Sequence, residues 1–253
     1  LPGVLGNEKS TFEETFEKAL SYGERLRPMT KDISKLILEM NNEGKKVLFE
    51  GAQGALLDVD NGTYPYVTSS NSSAAGIASG TGLGPLSVSN ILGIAKAYTT
   101  RVGEGPMPTE LFDDVGIHIA NKGGEVGATT GRPRRCGWFD AVAMKKAIQS
   151  NSIKSLCITK LDVFDGMESI KICDSYDNSD EFFEESLNLD HVKPHYIELS
   201  GWNKPIYGLK NLDDFPREAV EFISKIEEVC GVTVDIISTG PERESTIFKN
   251  NII

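Results

Sequence analysis

Short apolar segments alternate along this chain with segments that have the periodicity of amphipathic helices, and this alternation limits the folds available to it. Strands that alternate with helices favour an α/β fold with a mainly parallel sheet flanked by helices. No internal repeat or linker divides the sequence, so we expect a single α/β domain over residues 1–253. The predicted strands are residues 47–49, 91–98, 156–158, 169–173 near a sheet edge, and 234–237 as the last strand.

The helix patterns come with recognisable start and stop signals. Thr11 and Glu14 have the spacing of a capping box, and Phe12, Phe16 and Leu20 share one face of the helix that follows. Glycine after the last turn and proline in the first turn mark helix ends. The other predicted helices are residues 30–43 ending at Gly44, residues 138–148, and a helix with Pro216 in its first turn that ends at Gly231.

A long polar segment, residues 58–84, follows the first predicted strand and its glycine-rich end. Loops of this length in a compact domain are usually either functional or disordered. Its aromatic and proline residues, such as Tyr64 and Pro65, favour an ordered loop. The stretch that begins at Asp58 resembles a calcium loop, but Ser69 stands where a bidentate glutamate should close it. We therefore reject calcium binding.

The chain is acidic, with a formal net charge of −11, which argues against general binding of nucleic acid. An anion site then requires a local basic cluster. Residues 128–135 provide one, with Arg132, Arg134 and Arg135 beside Thr129, Thr130 and Gly131. Arginine binds carboxylate or phosphate through paired hydrogen bonds. The cluster predicts an anion site, and a solvated basic turn is the alternative.

Lys160 and Asp162 follow the apolar strand predicted at residues 156–158, in the arrangement Thr-Lys-Leu-Asp. A carboxylate here can accept hydrogen bonds from the N1–H and N2 amino groups of guanine, while the lysine stem covers the ring. The pattern is short, so a surface lysine and aspartate at a strand end is an equally good interpretation.

The sequence gives little support for disulfide bonds, a metal site, a phosphate loop or a membrane span. The four cysteines have no paired spacing, and the histidine pair His191 and His195 lacks a second pair of ligands, so we expect neither a disulfide framework nor a metal site. No G-x4-G-K-[ST] phosphate loop occurs. No apolar run approaches the roughly 20 residues that span a bilayer, so we expect no membrane association. The start at Leu1 indicates a fragment of a longer chain.

Long stretches of the chain together resemble the adenylosuccinate synthetase family, in the order and approximate spacing of that family. They are FEGAQGALLDVDNGTYPYVTSSN at residues 49–71, TRVGEGPMPTEL at 100–111, GATTGRPRRCGWFDAV at 127–142, TKLDVFDG at 159–166 and STGPER at 238–243. The resemblance covers essentially the whole chain and implies a fold related to the P-loop nucleotide hydrolases.

The resemblance also implies an activity. The family is typically a cytoplasmic homodimer that uses GTP and Mg²⁺ to ligate IMP and L-aspartate, the first committed step of AMP synthesis from IMP. GTP phosphorylates the 6-oxygen of IMP, and the amine of aspartate then displaces that phosphate. No nucleic-acid or membrane partner is implied.

Roles carry over from the family residue by residue. The residues that match IMP contacts are Gln53, Thr68, Arg132 and Val102, the last against the ribose. Those that match the loop for the aspartate carboxylates are Ala128, Thr129, Thr130, Gly131, Arg132, Pro133 and Arg134, with Pro133 where some relatives carry arginine. Those that match the GTP contacts are Arg134, Lys160, Leu161, Asp162, Ser238, Thr239 and Gly240.

The family's catalytic aspartate and histidine, its phosphate loop, its magnesium ligands and an arginine donated across the dimer lie in an N-terminal segment. We expect these groups upstream of Leu1, so the chain itself should contain no catalytic residue and no metal ligand, and should be inactive alone. A guanine-nucleotide switch protein and a non-catalytic module that binds IMP remain alternative hypotheses.

Overall fold

The computed structural model of the chain describes residues 10–127, 131–177, 189 and 191–250. Helices and strands alternate along it. The helices are α1 (Phe12–Leu26), α2 (Ile33–Asn42), α3 (Ala75–Thr81), α4 (Asp114–Gly123), α5 (Ala141–Asn151) and α6 (Arg217–Cys230). The strands are β1 (Leu92–Lys96), β2 (Thr99–Arg101), β3 (Arg135–Gly137), β4 (Phe139–Asp140), β5 (Ser155–Thr159), β6 (Ser169–Tyr176), β7 (Pro194–Ser200), β8 (Thr233–Ser238) and β9 (Thr246–Phe248).

The main sheet has the strand order β1-β5-β8-β9. The first three strands are parallel, and β9 joins β8 in the antiparallel sense. The predicted α/β fold with a mainly parallel sheet is therefore confirmed. Parallel strands end on one side, so Lys96, Thr159 and Ser238 lie along one border of the sheet, which we call the carboxyl edge.

A three-stranded sheet of order β4-β6-β7 and the antiparallel pair β2-β3 complete the strand pairing of the described residues. Strand β6 pairs with a neighbour on both sides, so the edge position predicted for residues 169–173 is wrong. The reason is β7, whose half-exposed residues give little strand signal. The acidic and polar segment 174–190 is predicted from its sequence to be a surface excursion, and its residues 178–188 and 190 lie outside the described residues. Its first part instead continues β6 as far as the buried Tyr176.

Aromatic side chains form the centre of the core. The rings of Phe164 and Phe222 meet edge to face with centroids 5.6 Å apart, and Trp202 packs against both. Helix α6 contributes Phe222 from a buried apolar face that also includes Ile223 and Ile226. Gly231 ends the helix with a left-handed φ of 72°, whereas Pro216 lies at the cap position, just before the first turn where it was predicted.

The first two helices form but bury little of their apolar surface. The predicted capping box of α1 is confirmed, because Thr11 and Glu14 exchange hydrogen bonds between side chain and backbone. No residue of α1 is buried. Helix α2 begins later than predicted because the Asp32 side chain accepts a hydrogen bond from the Lys35 amide and caps it.

Several other predicted elements differ from the structure. Residues 47–49 form no strand, and no strand of the described residues lies beside them to pair with. The segment 91–98 is interrupted after β1, because the chain turns at the buried Tyr98 and continues as β2 in a different sheet. The helix predicted from residue 138 begins at Ala141, where the Asp140 carboxylate caps it. Strand β8 is not the last, since β9 follows it.

Candidate functional site

The predicted guanine segment lies at the carboxyl edge, directly after β5. Lys160 has a left-handed φ of 61° that ends the strand and turns the chain into a 3-10 helix over Leu161–Phe164. The Lys160 Nζ donates a hydrogen bond of 2.8 Å to the Gly123 carbonyl at the end of α4. Leu161 is fully buried and anchors the turn. Burial, together with nearby Asp165, raises the pKa of the Asp162 carboxyl above its ordinary value.

The second predicted guanine segment ends the neighbouring strand. Ile237 of β8 is opposite Ile158 of β5, so the residues that follow these two positions end side by side. The Ser238 hydroxyl donates to the Gly240 carbonyl at 2.9 Å. Thr239 is fully buried, and its hydroxyl lies 2.8 Å from the Leu209 carbonyl. The Thr239 side chain is therefore used in hydrogen bonds within the fold. The groups of this segment that remain for contact with a ligand are its backbone and the Ser238 side chain.

The loop predicted to take the aspartate carboxylates, residues 128–134, is called the arginine loop here, and the described residues on its two sides pair with each other at its base. Its base is closed by the bridge between Val126 and Pro133 and by a hydrogen bond of 2.8 Å from the Gly127 amide to the Arg132 carbonyl. Gly131 turns the chain with a left-handed φ of 62°. Arg132 lies exposed beside it. The predicted site residues Ala128, Thr129 and Thr130 lie outside the described residues.

Arg134 belongs to a buried polar cluster that the sequence did not indicate. The Glu125 carboxylate is its centre and accepts hydrogen bonds from Lys96 Nζ at 2.7 and 2.8 Å, from the Tyr98 hydroxyl at 2.7 Å and from Arg134 Nη1 at 3.0 Å. Burial of Glu125 opposes ionisation, but the hydrogen bonds from Lys96 and Tyr98 outweigh it and hold its pKa below the ordinary value. Burial lowers the pKa of Lys96.

A buried carboxylate also organises the polar segment that begins at residue 58. Asp58 is fully buried and accepts hydrogen bonds of 3.0 Å from the amides of Asp60, Asn61 and Ser73. Burial alone would raise the pKa of Asp58, but these hydrogen bonds bring it below its ordinary value. The segment is ordered, as predicted, and contains helix α3, which the sequence did not indicate.

Arg101 connects the predicted IMP contacts. Its guanidinium donates to the Thr63 hydroxyl at 2.9 Å and to the Tyr66 carbonyl at 3.0 Å, and so ties the Asp58 segment to the turn after β2. Thr68 lies two residues after Tyr66, and Val102 directly follows Arg101. Both side chains reach the surface, and Val102 is 45% exposed.

Gln53 is exposed and has a left-handed φ of 63°, an uncommon conformation for a residue other than glycine. The next residue, Gly54, accepts a hydrogen bond of 2.7 Å at its carbonyl from the Ser72 hydroxyl. Gln53 is therefore adjacent to a residue that contacts the middle of the polar segment, which also carries Thr68.

Arg135 extends the same connection to the arginine loop. Its guanidinium donates to the Gly105 carbonyl at 2.7 Å and forms a two-point ion pair with Glu110. Arg101 and Arg135 thus contact backbone carbonyls of two loops, the Asp58 segment and the turn after β2. Such contacts depend on tertiary structure: the sequence placed Arg135 in the basic cluster but indicated neither its partners nor those of Arg101.

Two classes of feature are not found in the part of the chain that the structure describes. No group of three or more histidine, cysteine, aspartate or glutamate side chains is placed to hold a metal ion. None of its helices has the length and apolar character needed to cross a bilayer.

The chain matches known proteins over nearly all of its length. A sequence profile of the adenylosuccinate synthetase family matches residues 3–247. The adenylosuccinate synthetase of Ectopseudomonas mendocina is 53% identical over 241 residues, which cover 93% of this chain and 56% of that protein. That of Azotobacter vinelandii is 51% identical over 244 residues, which cover 95% of this chain and 57% of that protein.

Solved structures agree with these matches. A fully ligated adenylosuccinate synthetase from Plasmodium falciparum has a TM-score of 0.86 and 36% identity, and the match covers 95% of this chain and 59% of that one. A cyanophage S-2L succinoaminodeoxyadenylate synthetase bound to dGMP and dATP has a TM-score of 0.53 at 17% identity, which supports the fold alone; the match covers 86% of this chain and 50% of that one.

The chain spans about half the length of the curated relatives that it matches. Within that span, the profile match includes the arginine loop, the strand end at Lys160 and the polar segment at Asp58. The chain belongs to the adenylosuccinate synthetase family.

Proposed function

We propose that this chain forms the substrate-binding part of a GTP-dependent ligase that joins IMP and L-aspartate to give adenylosuccinate. One observation carries the proposal. Lys160 contacts the Gly123 carbonyl, and Arg134 contacts Glu125 only two residues further along the chain. The segment predicted to read a purine base and the loop predicted to hold a dicarboxylate are therefore anchored to the same turn at the carboxyl edge, where open parallel sheets bind ligands.

Guanine recognition is assigned to Lys160, Leu161 and Asp162, with Ser238, Thr239 and Gly240 beside them. The Asp162 carboxylate can accept from guanine N1–H and from the N2 amino group, whereas adenine offers no donor at either place. A site built around such hydrogen bonds discriminates strongly, because the wrong base leaves a half-buried carboxylate without a partner.

Aspartate recognition is assigned to the arginine loop. Arg132 and Arg134 provide two guanidinium groups for two carboxylates, and hydrogen bonds between such charged groups are among the strongest in proteins. The hydroxyls of Thr129 and Thr130 and the backbone from Ala128 to Pro133 complete the proposed site.

IMP binding is assigned to Gln53, Thr68, Val102 and Arg132. Arg101 supports this assignment because it fastens the segment carrying Thr68 to the turn carrying Val102. Arg132 is shared with the aspartate site, which would place the amine of aspartate close to the purine ring that it attacks.

Phosphoryl transfer from GTP to the IMP 6-oxygen depends mainly on positioning and on neutralisation of charge. Mg²⁺ would supply part of that neutralisation, but the described residues contain no cluster suited to a metal. We place the metal ligands, the phosphate loop and the catalytic aspartate and histidine in the part of the relatives that this chain does not span. The same proposal includes a homodimer that works in the cytoplasm.

The test is product formation by a protein that includes this chain and spans the full length of its relatives. With IMP, L-aspartate, GTP and Mg²⁺ it should form adenylosuccinate, and the 253-residue chain alone should form none. A full-length protein that binds IMP without turnover would instead support a non-catalytic module. Robust synthesis by the 253-residue chain would contradict the division of the site.

A base-swap variant tests the guanine assignment separately. In Asp162→Asn the side-chain amide can donate to the O2 of xanthine, so XTP should replace GTP as the preferred nucleotide. A matched control is Asp165→Asn, because the Asp165 carboxylate accepts hydrogen bonds from Trp202 and Ile206 within the fold. If Asp162→Asn still prefers GTP, the base is read elsewhere.

A further inference from the structure

We infer that Glu125 is a positioning residue that sets the orientation of Arg134 and the base of the arginine loop for aspartate binding. The inference rests on the proposed function and adds to it a residue outside the predicted contacts. Glu125 itself does not contact the substrate in this account, since its side chain is 1% exposed and both carboxylate oxygens are already occupied.

Glu125 holds Arg134 at two points. The Arg134 amide donates to the Glu125 carbonyl at 2.9 Å, and the Arg134 guanidinium donates to the Glu125 carboxylate at 3.0 Å. A residue held by both its backbone and its side chain has little rotational freedom. The remaining guanidinium donors of Arg134, which is 30% exposed, can then face a ligand in a preformed direction.

The negative charge of Glu125 also offsets the repulsion between two neighbouring cations. Its carboxylate lies between two cations, Lys96 and Arg134, with Lys96 Nζ at 2.7 Å and Arg134 Nη1 at 3.0 Å. Without the negative charge, these cations would repel each other in a half-buried place, where Coulomb interactions are weakly screened. Arg134 is the one at the end of a loop, so we expect it to move.

The Glu125 carboxylate also fixes the position of the arginine loop relative to the rest of the site. Lys96 is the last residue of β1, and Tyr98 lies in the turn that follows. A side chain at Gly123, which accepts the Lys160 hydrogen bond, would meet the Tyr98 hydroxyl at 2.3 Å. Close packing around Glu125 thus fixes the loop relative to both β1 and the guanine segment.

The test is the Glu125→Gln variant in the full-length protein, with KM and kcat measured for each substrate. Glutamine keeps the shape but removes the charge, so the KM for aspartate should rise by roughly 10-fold to 100-fold, the range expected for weakening a hydrogen bond to a charged group. The KM for IMP should change less than about twofold. If the role of Glu125 were purely structural, the variant would contain less active enzyme and have a lower kcat. The KM values for aspartate and for IMP would then change by similar factors.

Glu110→Gln is the matched control. It also neutralises a glutamate that pairs with an arginine, since Glu110 pairs with Arg135 just after the arginine loop, but Glu110 contacts neither Lys96 nor Arg134. It should leave the KM for aspartate within about twofold of the wild type. An equal rise in both variants would overturn the specific role of Glu125.

Two further outcomes are decisive. If Glu125→Gln does not fold, Tyr98→Phe is the substitute, because it removes one hydrogen bond from Glu125 and keeps the charge. A threefold or larger rise in the KM for aspartate in Tyr98→Phe supports the inference, and no rise overturns it.

If the wild-type protein makes no adenylosuccinate, the proposed function fails and the inference with it. An active wild type with an unchanged KM in Glu125→Gln overturns the inference alone.

Discussion

At the scale of single residues, buried carboxylates order the loops of the site. Asp58 gathers three backbone amides of the polar segment, and Glu125 gathers two cations and a tyrosine hydroxyl. Each group is withdrawn from water and compensated by hydrogen bonds, which makes its removal costly. Asp58 thereby anchors the polar segment, and Glu125 anchors Arg134 at the end of the arginine loop.

Replacement of Asp58 should destabilise the chain. Asp58→Ala leaves three amides without their acceptor and should lower the free energy of unfolding by about 3 kcal/mol or more, since a hydrogen bond to a charged group contributes roughly 1.5–3 kcal/mol. Asp58→Asn should lower it less, because one side-chain oxygen can still accept from Asp60 and Asn61. Urea titration measures both values.

The exposed Asp60 provides the control, and Asp60→Asn should change the free energy of unfolding by less than about 1 kcal/mol. Because the pKa of Asp58 is lowered in the folded protein, its contribution is present above the unfolded value of about 3.9 and is lost only as pH falls through the lower folded value. An Asp58→Ala chain as stable as the wild type at neutral pH would refute this role.

Guanine binding should depend on pH through Asp162. Burial raises the pKa of its carboxyl, so the acceptor form is lost on acidification earlier than for an ordinary aspartate of pKa about 3.9. On acidification the affinity of the full-length protein for GDP should therefore begin to fall at a higher pH than an ordinary aspartate would give, and Asp162→Asn should lack this dependence. Calorimetric titration with GDP measures it, and the same pH dependence in both proteins would exclude Asp162 as the cause.

Part of the candidate site at this scale could be proposed from residue type and local order. Lys160 and Asp162 were recognisable because they follow an apolar strand directly, and the arginine loop because it concentrates positive charge in an acidic chain. Glu125, Lys96 and Tyr98 were not, because their contacts join positions 29 and 27 residues apart through tertiary structure. A lone glutamate beside two glycines carries no comparable local signal.

At the scale of elements, burial separates helices that look alike in sequence. Helices α1 and α6 have similar lengths, 15 and 14 residues, and both have a continuous apolar face. The face of α6 is buried in the core, whereas α1 buries no residue, and Phe16 and Leu20 remain half exposed. Most helix stability in proteins comes from such packing.

Hydrogen exchange of the 253-residue chain should therefore distinguish the two helices. Amides of α1 should exchange through local opening, many times faster than those of α6, which should approach the protection of global unfolding. Mass spectrometry of peptides from each helix gives the comparison, and the similar lengths make α6 a fair reference. Equal protection of the two helices would show that the apolar face of α1 is covered.

Elements with strong local signals were predictable and those that depend on a partner were not. The capping box of α1, the apolar face of α6 and the buried strands β5 and β8 all carry their own pattern. The segment 47–49 has a strand pattern but no strand beside it among the described residues. Strand β7 shows the reverse case, because pairing with β6 forms it despite a half-exposed pattern.

At the scale of the whole molecule, the parallel sheet explains why distant motifs meet. Strands β1, β5 and β8 end on one side, which brings Lys96, Lys160 and Ser238 to the carboxyl edge. Arginine contacts then join the loops beyond that edge, through Arg101, Arg134 and Arg135. The chain as a whole has a net charge of −11, so this concentration of arginines is its candidate place for a bound anion.

A crystal structure of the full-length protein with IMP, GDP and a dicarboxylate would show whether the two segments bind these ligands. We expect guanine N1 and N2 about 3 Å from the Asp162 carboxylate, and the dicarboxylate within the arginine loop in contact with Arg132 or Arg134. A guanine ring bound away from Asp162, or a dicarboxylate bound on the opposite side of the sheet, would contradict this expectation.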